Sequence, residues 1–329
     1  MKSSLAAFLI VAMASLAFGQ PAAEPPAPVT PSVPTAPPAP VVTTMPAKSE
    51  MTALQAIILG VVEGVTEYLP VSSTAHLILA EKIMGIGSSS DDSKEAADAY
   101  AVVIQGGAIL AVLLLYFARL KSMARGLLGQ DEQGRRLAIN TMVAFLPAAL
   151  VGLLIHKQIK EHLFGLWPIV FAWFVGGAAI LLVAWSNAGR RSRRGLSIDA
   201  ITTKMALGIG FAQCIAMWPG TSRSLITIVG GVIAGLSLSA AVEFSFILGL
   251  ITLSAATLLD AKQHGSQMLH LFGPLSLIAG FIAALVSAVL AIEWLVGYLK
   301  KHGMELFGYY RVLLAAIVTL LILLNYLKP

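Results

Sequence analysis

Long apolar segments follow one another through most of the chain. Each has a central stretch free of charge and is about twenty residues long, which is the length an α-helix needs to cross the hydrocarbon of a bilayer. The pattern predicts six transmembrane helices, at 97–118, 138–156, 165–187, 241–259, 271–295 and 308–327.

Two further apolar stretches are broken in the middle. The stretch 52–86 is interrupted at Pro70, and 205–236 is interrupted at Pro219 and Gly220. Because proline beside small polar residues ends a helix, each half is too short to cross the membrane. Irregular backbone at that depth is tolerated only inside protein or beside water. We therefore expect two re-entrant helix hairpins, each returning to its own side.

The N-terminal fifty residues have a different character. Residues 1–19 have the positive start, apolar run and small residues of a signal peptide, with an uncleaved short anchor as the alternative. Residues 20–49 are rich in Pro and Ala and predict a disordered linker. The membrane-embedded domain should then occupy 50–329.

Composition agrees with a membrane protein. The chain is 57% hydrophobic and only 12% charged, and its mean hydropathy is +0.83. A soluble core could not bury that much apolar surface. The net charge of +5 is better explained by loop charges that fix orientation than by contacts with nucleic acid, so no nucleic-acid partner is expected.

The basic residues predict an orientation. With the N-terminus outside and both hairpins re-entrant, the loops 119–136, 188–204 and 296–311 fall inside and carry thirteen Lys and Arg residues, Arg311 included. The outside connections carry six. This bias satisfies the positive-inside rule. It also makes the halves 52–187 and 200–327 an inverted repeat, which should bring the two hairpin tips together near the midplane.

The first hairpin carries polar groups that suit phosphate chemistry. Glu63 and Glu67 share one helix face and could hold a hard divalent cation, Mg²⁺ or Ca²⁺. The hydroxyls of Ser72, Ser73 and Thr74 open the returning helix, where an anion is favoured, and His76 follows. Taken singly, a glutamate could be a neutral structural residue, Ser72 and Thr74 could be helix caps, and His76 could be a core residue.

The second hairpin carries an arginine in its apolar surroundings. Arg223 is flanked by Ser222 and Ser224, with Thr227 one turn further on. A guanidinium there needs an anionic partner, either a phosphate or a carboxylate. A structural ion pair with a glutamate of the first hairpin is the alternative, and it too would bring the hairpin tips together.

Both hairpins resemble signatures of one family. The segment 63–76, EGVTEYLPVSSTAH, resembles the E-G-x-T-E-[FY]-L-P-[IV]-S-S-T-[GA]-H motif of the undecaprenyl-diphosphate phosphatase family, also called the bacitracin-resistance protein family. Residues 219–224, PGTSRS, resemble its second motif, P-G-x-S-R-S-G-x-T, and the EFSF segment at 243–246 is also similar. Ala75 stands where glycine is common, and Leu225 replaces the glycine that usually follows Ser-Arg-Ser.

The resemblance implies hydrolysis of a polyprenyl diphosphate lipid, undecaprenyl diphosphate, to its monophosphate and inorganic phosphate. That reaction recycles the carrier lipid for peptidoglycan and confers bacitracin resistance, at the outer face of a bacterial inner membrane. On this view Glu67, Ser73, His76 and Arg223 are catalytic, and Glu63 with Glu67 holds the metal or acts as base. The hydroxyls expected to bind phosphate are those of Ser72, Thr74, Ser222, Ser224 and Thr227.

Two other functions remain open from the residues alone. A polyprenyl-phosphate flippase or anion transporter could have the same inverted repeat and bind phosphate without cleaving it. A structural scaffold would leave the buried charges unexplained. The sequence also leaves open a homodimer, and the choice between a phosphoserine intermediate and direct attack by water.

Overall fold

The structure, a computed structural model, describes residues 51–87, 91–163, 165–186, 194–271 and 274–327. The predicted signal peptide at 1–19 and linker at 20–49 lie outside these ranges. Within them the chain forms eleven α-helices and no β-strand; Leu196 and Leu236 form one isolated parallel bridge. The prediction of an all-α membrane protein is therefore confirmed at the level of fold class.

The helices are numbered in chain order. They are α1 (Ala53–Thr66), α2 (Ser73–Met84), α3 (Asp91–Leu115), α4 (Phe117–Leu127), α5 (Glu132–Leu163), α6 (Leu166–Trp185), α7 (Thr203–Gln213), α8 (Arg223–Ile233), α9 (Leu238–Leu271), α10 (Pro274–Lys301) and α11 (Glu305–Leu323). Two 3₁₀ turns, Ile198–Ala200 and Cys214–Met217, flank α7.

Both broken stretches form two short helices joined by a turn. The pair α1 and α2 is separated by the turn that holds Pro70, and the pair α7 and α8 by the turn that holds Pro219. These helices have 11 to 14 residues, so each is about 16–21 Å long at 1.5 Å per residue. None of the four is long enough to cross about 30 Å of hydrocarbon.

Five of the described helices are long and apolar enough to cross a membrane. They are α5, α6, α9, α10 and α11, and a sixth span results if α3 and α4 are counted as one bent pair. The chain is thus a multi-pass membrane protein with five or six spanning candidates in its described part.

The expected loop 119–136 needs a correction, because much of it is helical. After Leu115 the chain bends by 76° and continues as α4 before α5 begins at Glu132. Met123 and Gly126 are buried, while Lys121 and Arg125 are exposed. An amphipathic helix of this kind can bury one face against α5 and keep its charges in water.

Arg311 also departs from its expected place. The sequence pattern put it in an inside loop, but it lies within α11 and is fully buried. Its positive charge therefore belongs to the interior of the protein. The bias of basic residues falls from thirteen against six to twelve against six, and its direction is unchanged.

Close packing of α1 on α10 fixes the first hairpin in place. A Cβ added at Gly64 would lie 2.1 Å from Ser287 Oγ and 2.3 Å from the Ala284 carbonyl oxygen. A Cβ at Gly60 would lie 2.3 Å from the Gly280 carbonyl oxygen. Small residues allow helix backbones to approach this closely in a membrane, where apolar burial gives little drive for association.

We predict that Gly64→Ala lowers the apparent Tm of the purified protein in detergent, because the new methyl group collides with the backbone of α10. Overpacking of this kind costs about 1–3 kcal/mol. Gly208→Ala is the matched control, since a Cβ there meets nothing within 4 Å. An equal Tm for both variants would contradict the packing of α1 against α10.

Candidate active site

The turns of the two helix pairs meet inside the helical assembly. Arg223 Nη2 donates to Glu67 Oε1 at 2.9 Å, although the two residues are 156 positions apart. Ser224 Oγ donates to the carbonyl oxygen of Leu69 at 2.8 Å, and Glu67 is almost fully buried. The ion pair considered from the sequence is therefore present, and it joins the first turn to the second.

Arg223 is held on several sides. Its Nη1 donates to the Ser245 carbonyl oxygen at 3.0 Å, and its guanidinium lies 5.4 Å from the centre of the Tyr68 ring. Gly249 leaves the space that the guanidinium fills, because a Cβ there would lie 1.9 Å from Nη1. Nε is buried without a hydrogen-bond partner among the described residues, so one donor of the fork is still available to a ligand.

Ser73 is tied to the same carboxylate. Its hydroxyl donates to Glu67 Oε2, so the two oxygens of Glu67 face the serine and the arginine respectively. Ser73 is also the first residue of α2, where backbone N–H groups have no partner within the helix. A hydroxyl beside a carboxylate, at a helix N-terminus and near a guanidinium, suits attack on a phosphate group.

The two turns share an unusual backbone conformation. Ser72 and Ser222 both have φ of 76°, with ψ of 100° and 114°, and each directly precedes the helix that leaves its turn. Residues other than glycine seldom adopt positive φ, and strain of this kind is often found at functional sites. The two turns therefore resemble each other in backbone conformation.

The side-chain roles of these serines differ. Ser222 accepts a hydrogen bond from the Leu225 N–H at 3.3 Å, as a helix cap does. Ser72 makes no such cap bond, so the interpretation as a plain helix cap fits Ser222 and does not fit Ser72.

A cavity of about 300 Å³ opens beside these groups. Its polar lining includes most of the predicted site. Glu67, Ser72, Ser73, Thr74, Ser222 and Arg223 all face it, together with Gln105, Gln213 and Thr252. Ala148, Met217, Trp218 and Leu253 complete the wall with apolar surface. Such a space can hold a phosphate-bearing head next to an apolar chain.

Two of the predicted phosphate contacts lie elsewhere. Ser224 and Thr227 do not line the cavity, and both are buried. The Ser224 hydroxyl is occupied by the Leu69 carbonyl, and Thr227 Oγ1 lies 2.6 Å from Ser245 Oγ. The Ser224 hydroxyl connects α8 to the first turn, and that of Thr227 contacts α9. The arrangement therefore gives no support to their predicted contact with phosphate.

His76 lies behind the first turn and does not line the cavity. Its Nδ1 lies 2.7 Å from the Ser72 carbonyl oxygen, and its Nε2 lies 2.7 Å from the Tyr310 hydroxyl. The ring stacks on Tyr310 and meets the edge of Trp173. In this arrangement His76 fixes the backbone of Ser72, and the sequence pattern did not reveal its partner Tyr310.

Arg311 is the residue that sequence reasoning misplaced most. Its Nη2 donates to the carbonyl oxygens of Gly220 at 2.8 Å and Ala172 at 2.9 Å, and its Nη1 donates to that of Pro70 at 3.4 Å. It therefore bridges both turns. The clue available in the sequence was a lone arginine inside an apolar run, eight residues after Gly303.

Glu63 lies one turn before Glu67, within hydrogen-bonding reach of it, and is almost fully buried. Its Oε1 has no hydrogen-bond partner among the described residues. No group of three or more His, Cys, Asp or Glu side chains is assembled there in the described part. Two carboxylates still fit Mg²⁺, which commonly takes one or two of them and completes its shell with water and substrate phosphates.

Comparison with known proteins shows the family to which the chain belongs. The family model described as "Bacitracin resistance protein BacA" matches residues 56–317, which contain both turns and α11 up to Ile317. The chain is 45% identical over 264 residues to the undecaprenyl-diphosphatase of Sorangium cellulosum, covering 80% of this chain and 84% of that protein.

Two further relatives are similar over a comparable share of the chain. Undecaprenyl-diphosphatase 2 of Rhodospirillum rubrum is 42% identical, with 80% of this chain and 93% of the relative covered. The undecaprenyl-diphosphatase of Nitrosomonas eutropha is 43% identical, with 81% and 93% covered. The resemblance seen in the two motifs is thus confirmed over most of the folded chain, which belongs to the bacitracin resistance protein BacA family.

Proposed function

We propose that this chain is a phosphatase that hydrolyses undecaprenyl diphosphate to undecaprenyl phosphate and inorganic phosphate. The names of its relatives, undecaprenyl-diphosphatases, identify that substrate, and the family name fits a role in bacitracin resistance. The reaction would recycle the carrier lipid used in cell-wall synthesis.

The observation that carries this proposal is the shared carboxylate. Glu67 bonds to the Ser73 hydroxyl through one oxygen and to Arg223 through the other, in a cavity at the N-termini of α2 and α8. A carrier that only bound phosphate would use the arginine and the helix ends. It would have no need for a hydroxyl activated by a carboxylate.

The chemistry follows from the positions of these groups. Ser73 Oγ attacks the terminal phosphorus as Glu67 accepts the hydroxyl proton, and the anhydride P–O bond breaks so that undecaprenyl phosphate leaves. Water then hydrolyses the phosphoserine and releases inorganic phosphate. In the alternative route Ser73 and Glu67 orient a water molecule that attacks directly. In both routes Arg223 and the helix N-termini stabilise the negative charge that develops on the phosphoryl oxygens.

A divalent cation completes the proposed site. Glu63 and Glu67 would hold Mg²⁺ or Ca²⁺, which supplies charge neutralisation on the diphosphate. Glu63 Oε1, buried and unpaired among the described residues, is the free ligand atom that supports this assignment. Without a cation or a proton, such a buried carboxylate would be costly.

We further propose an inverted repeat with two re-entrant hairpins and an active site open to the outside of the inner membrane. The matching φ angles of Ser72 and Ser222, the contact between the turns and the basic bias support this topology. Thr252 supports the outside opening, because it lines the cavity 14 residues along α9 from its inner end at Leu238, which is about 21 Å.

The first prediction concerns the clamp on the phosphate. Arg223→Lys keeps the charge but cannot contact Glu67 and the Ser245 carbonyl together, so the rate of phosphate release should fall by about a hundredfold or more, as should that of Ser73→Ala. The double variant should lose little more than either single variant, because the residues act as one unit. The measurement is phosphate release from undecaprenyl diphosphate in detergent.

Arg119→Lys and Ser122→Ala are the controls for that experiment. Both residues make polar contacts on the inner side, with Glu243 and Asp131 respectively, and neither lines the cavity. Near-normal turnover in Arg223→Lys or Ser73→Ala would overturn the proposed site. Tight lipid binding by the unaltered protein without phosphate release would favour a flippase or transporter instead.

The metal assignment makes a separate prediction. EDTA should abolish phosphate release and Mg²⁺ or Ca²⁺ should restore it, while the Glu63→Gln, Glu67→Gln double variant should lose both activity and saturable binding of ⁴⁵Ca²⁺. Glu132→Gln is the control, because Glu132 is exposed and pairs with Arg135. Undiminished ⁴⁵Ca²⁺ binding by the double variant would show that other residues hold the metal.

The topology predicts which positions are accessible from outside. In a Cys214→Ser background, which removes the single cysteine, Gln130→Cys and Ser197→Cys should resist an impermeant maleimide in intact cells. Gly165→Cys, at the other end of α5 and α6, should react. Strong labelling at 130 or 197, with Gly165→Cys protected, would show the reverse orientation.

A further inference from the structure

A second cavity lies at the opposite ends of the helices that form the active site. It has a volume of about 850 Å³, and its lining includes Val232 of α8 and Leu238 of α9. Val232 is nine residues, or about 14 Å, along α8 from Arg223, and Leu238 is about 21 Å along α9 from Thr252. None of the residues assigned above to the phosphatase chemistry lines this cavity.

The mouth of this cavity is basic. Lys300 and Lys301, the last residues of α10, line it together with His302, and all three are exposed. Neither lysine forms an ion pair with an acidic residue in the described part of the chain. Ser237 and Ser239 contribute hydroxyls near the N-terminus of α9, where an anion is favoured.

The one carboxylate of the lining does not neutralise the lysines. Glu305 lies in the first turn of α11, and its carboxylate covers Gly303, where an added Cβ would lie 2.1 Å from Oε2. It therefore offsets the positive end of its own helix. Two lysine charges remain available to a ligand.

The wall of this cavity away from the lysines is apolar. Ile180, Val183 and Ala184 of α6 face Val229 and Val232 of α8, and Trp185 lies at the edge with most of its ring exposed. A free anion would gain nothing from such a wall. A molecule with a phosphate head and a hydrocarbon tail would contact both parts.

We propose that this cavity binds an anionic phospholipid of the inner leaflet, with its phosphate at Lys300 and Lys301 and the upper part of one acyl chain against α6 and α8. The assignment rests on the proposed topology, which places this end of the helices inside. Basic pockets between membrane helices on that side are suited to anionic headgroups. The bound lipid would join the ends of α6, α8 and α10 at the side opposite the active site.

The test is lipid retention by the purified full chain in detergent, measured by native mass spectrometry. Dioleoyl phosphatidylglycerol should bind with one tight site and dioleoyl phosphatidylcholine should not. Lys300→Gln with Lys301→Gln should weaken the tight site by about thirtyfold, since each basic residue near an anionic lipid contributes about 1 kcal/mol. Ala184→Phe keeps both lysine charges but fills the apolar part of the cavity with a larger side chain, so it should also weaken phosphatidylglycerol binding at the tight site.

The matched control is Lys121→Gln with Lys204→Gln. These lysines are exposed, carry the same charge and lie on the same predicted side, but neither lines the cavity. Equal loss in this control, or unaltered affinity in both cavity variants, would overturn the proposal. Displacement of the lipid by inorganic phosphate would likewise do so, because it would assign the site to a free anion.

Phosphate release separates this proposal from the proposed activity. The cavity variants should retain it, since none of the substituted residues lines the active-site cavity. Loss of tight phosphatidylglycerol binding with phosphate release intact would support a separate lipid site. A protein that binds the lipid but never releases phosphate would refute the proposed function alone.

Discussion

The ion pair between Glu67 and Arg223 is the interaction on which the site depends. Both charged side chains are largely buried, where each alone would cost several kcal/mol, so each requires the other or a ligand. Because the pair joins segments 156 residues apart, it also sets the distance between the two turns. Ser73 bonds to the same carboxylate, so the position of the candidate nucleophile depends on the pair as well.

Arg311 meets a different need of the same turns. A turn inside a membrane protein leaves backbone carbonyls without helical partners, and such groups must be satisfied by other protein groups. Arg311 donates to the carbonyls of Pro70 and Gly220, one in each turn, and Gly176 leaves room for its guanidinium. Among the described residues its hydrogen-bond partners are carbonyl oxygens only. Its charge is therefore not cancelled by a carboxylate among these partners.

Helix α8 contributes to both cavities. α8 starts with Arg223 in the active-site cavity and reaches the basic cavity at Val232, so its two ends face different chemical environments. On the proposed function, one end presents a helix N-terminus and a guanidinium to the diphosphate of the substrate. The other lies beside lysines that, on the proposed topology, face the inner leaflet. Helix α8 has 11 residues and is too short to cross the bilayer. On the proposed topology, one of its ends therefore lies inside the protein and the other near the inner surface.

The sequence by itself determined the helical membrane fold, the two proline breaks and six of the residues that line the cavity, because apolar length, Pro70 and Pro219 act locally and buried charges are rare. It did not determine which hydroxyls face the ligand. Ser224 and Thr227 are hydroxyl residues close to a turn, as Ser72 and Thr74 are. Their hydroxyls, however, bond to Leu69, which is 155 residues away, and to Ser245 on the next helix. Nor did it place Arg311 or pair His76 with Tyr310, because those contacts join α11 to the turns. Only tertiary packing decides such partners, since nothing in the spacing of residues along one helix specifies which face meets a segment more than two hundred residues away.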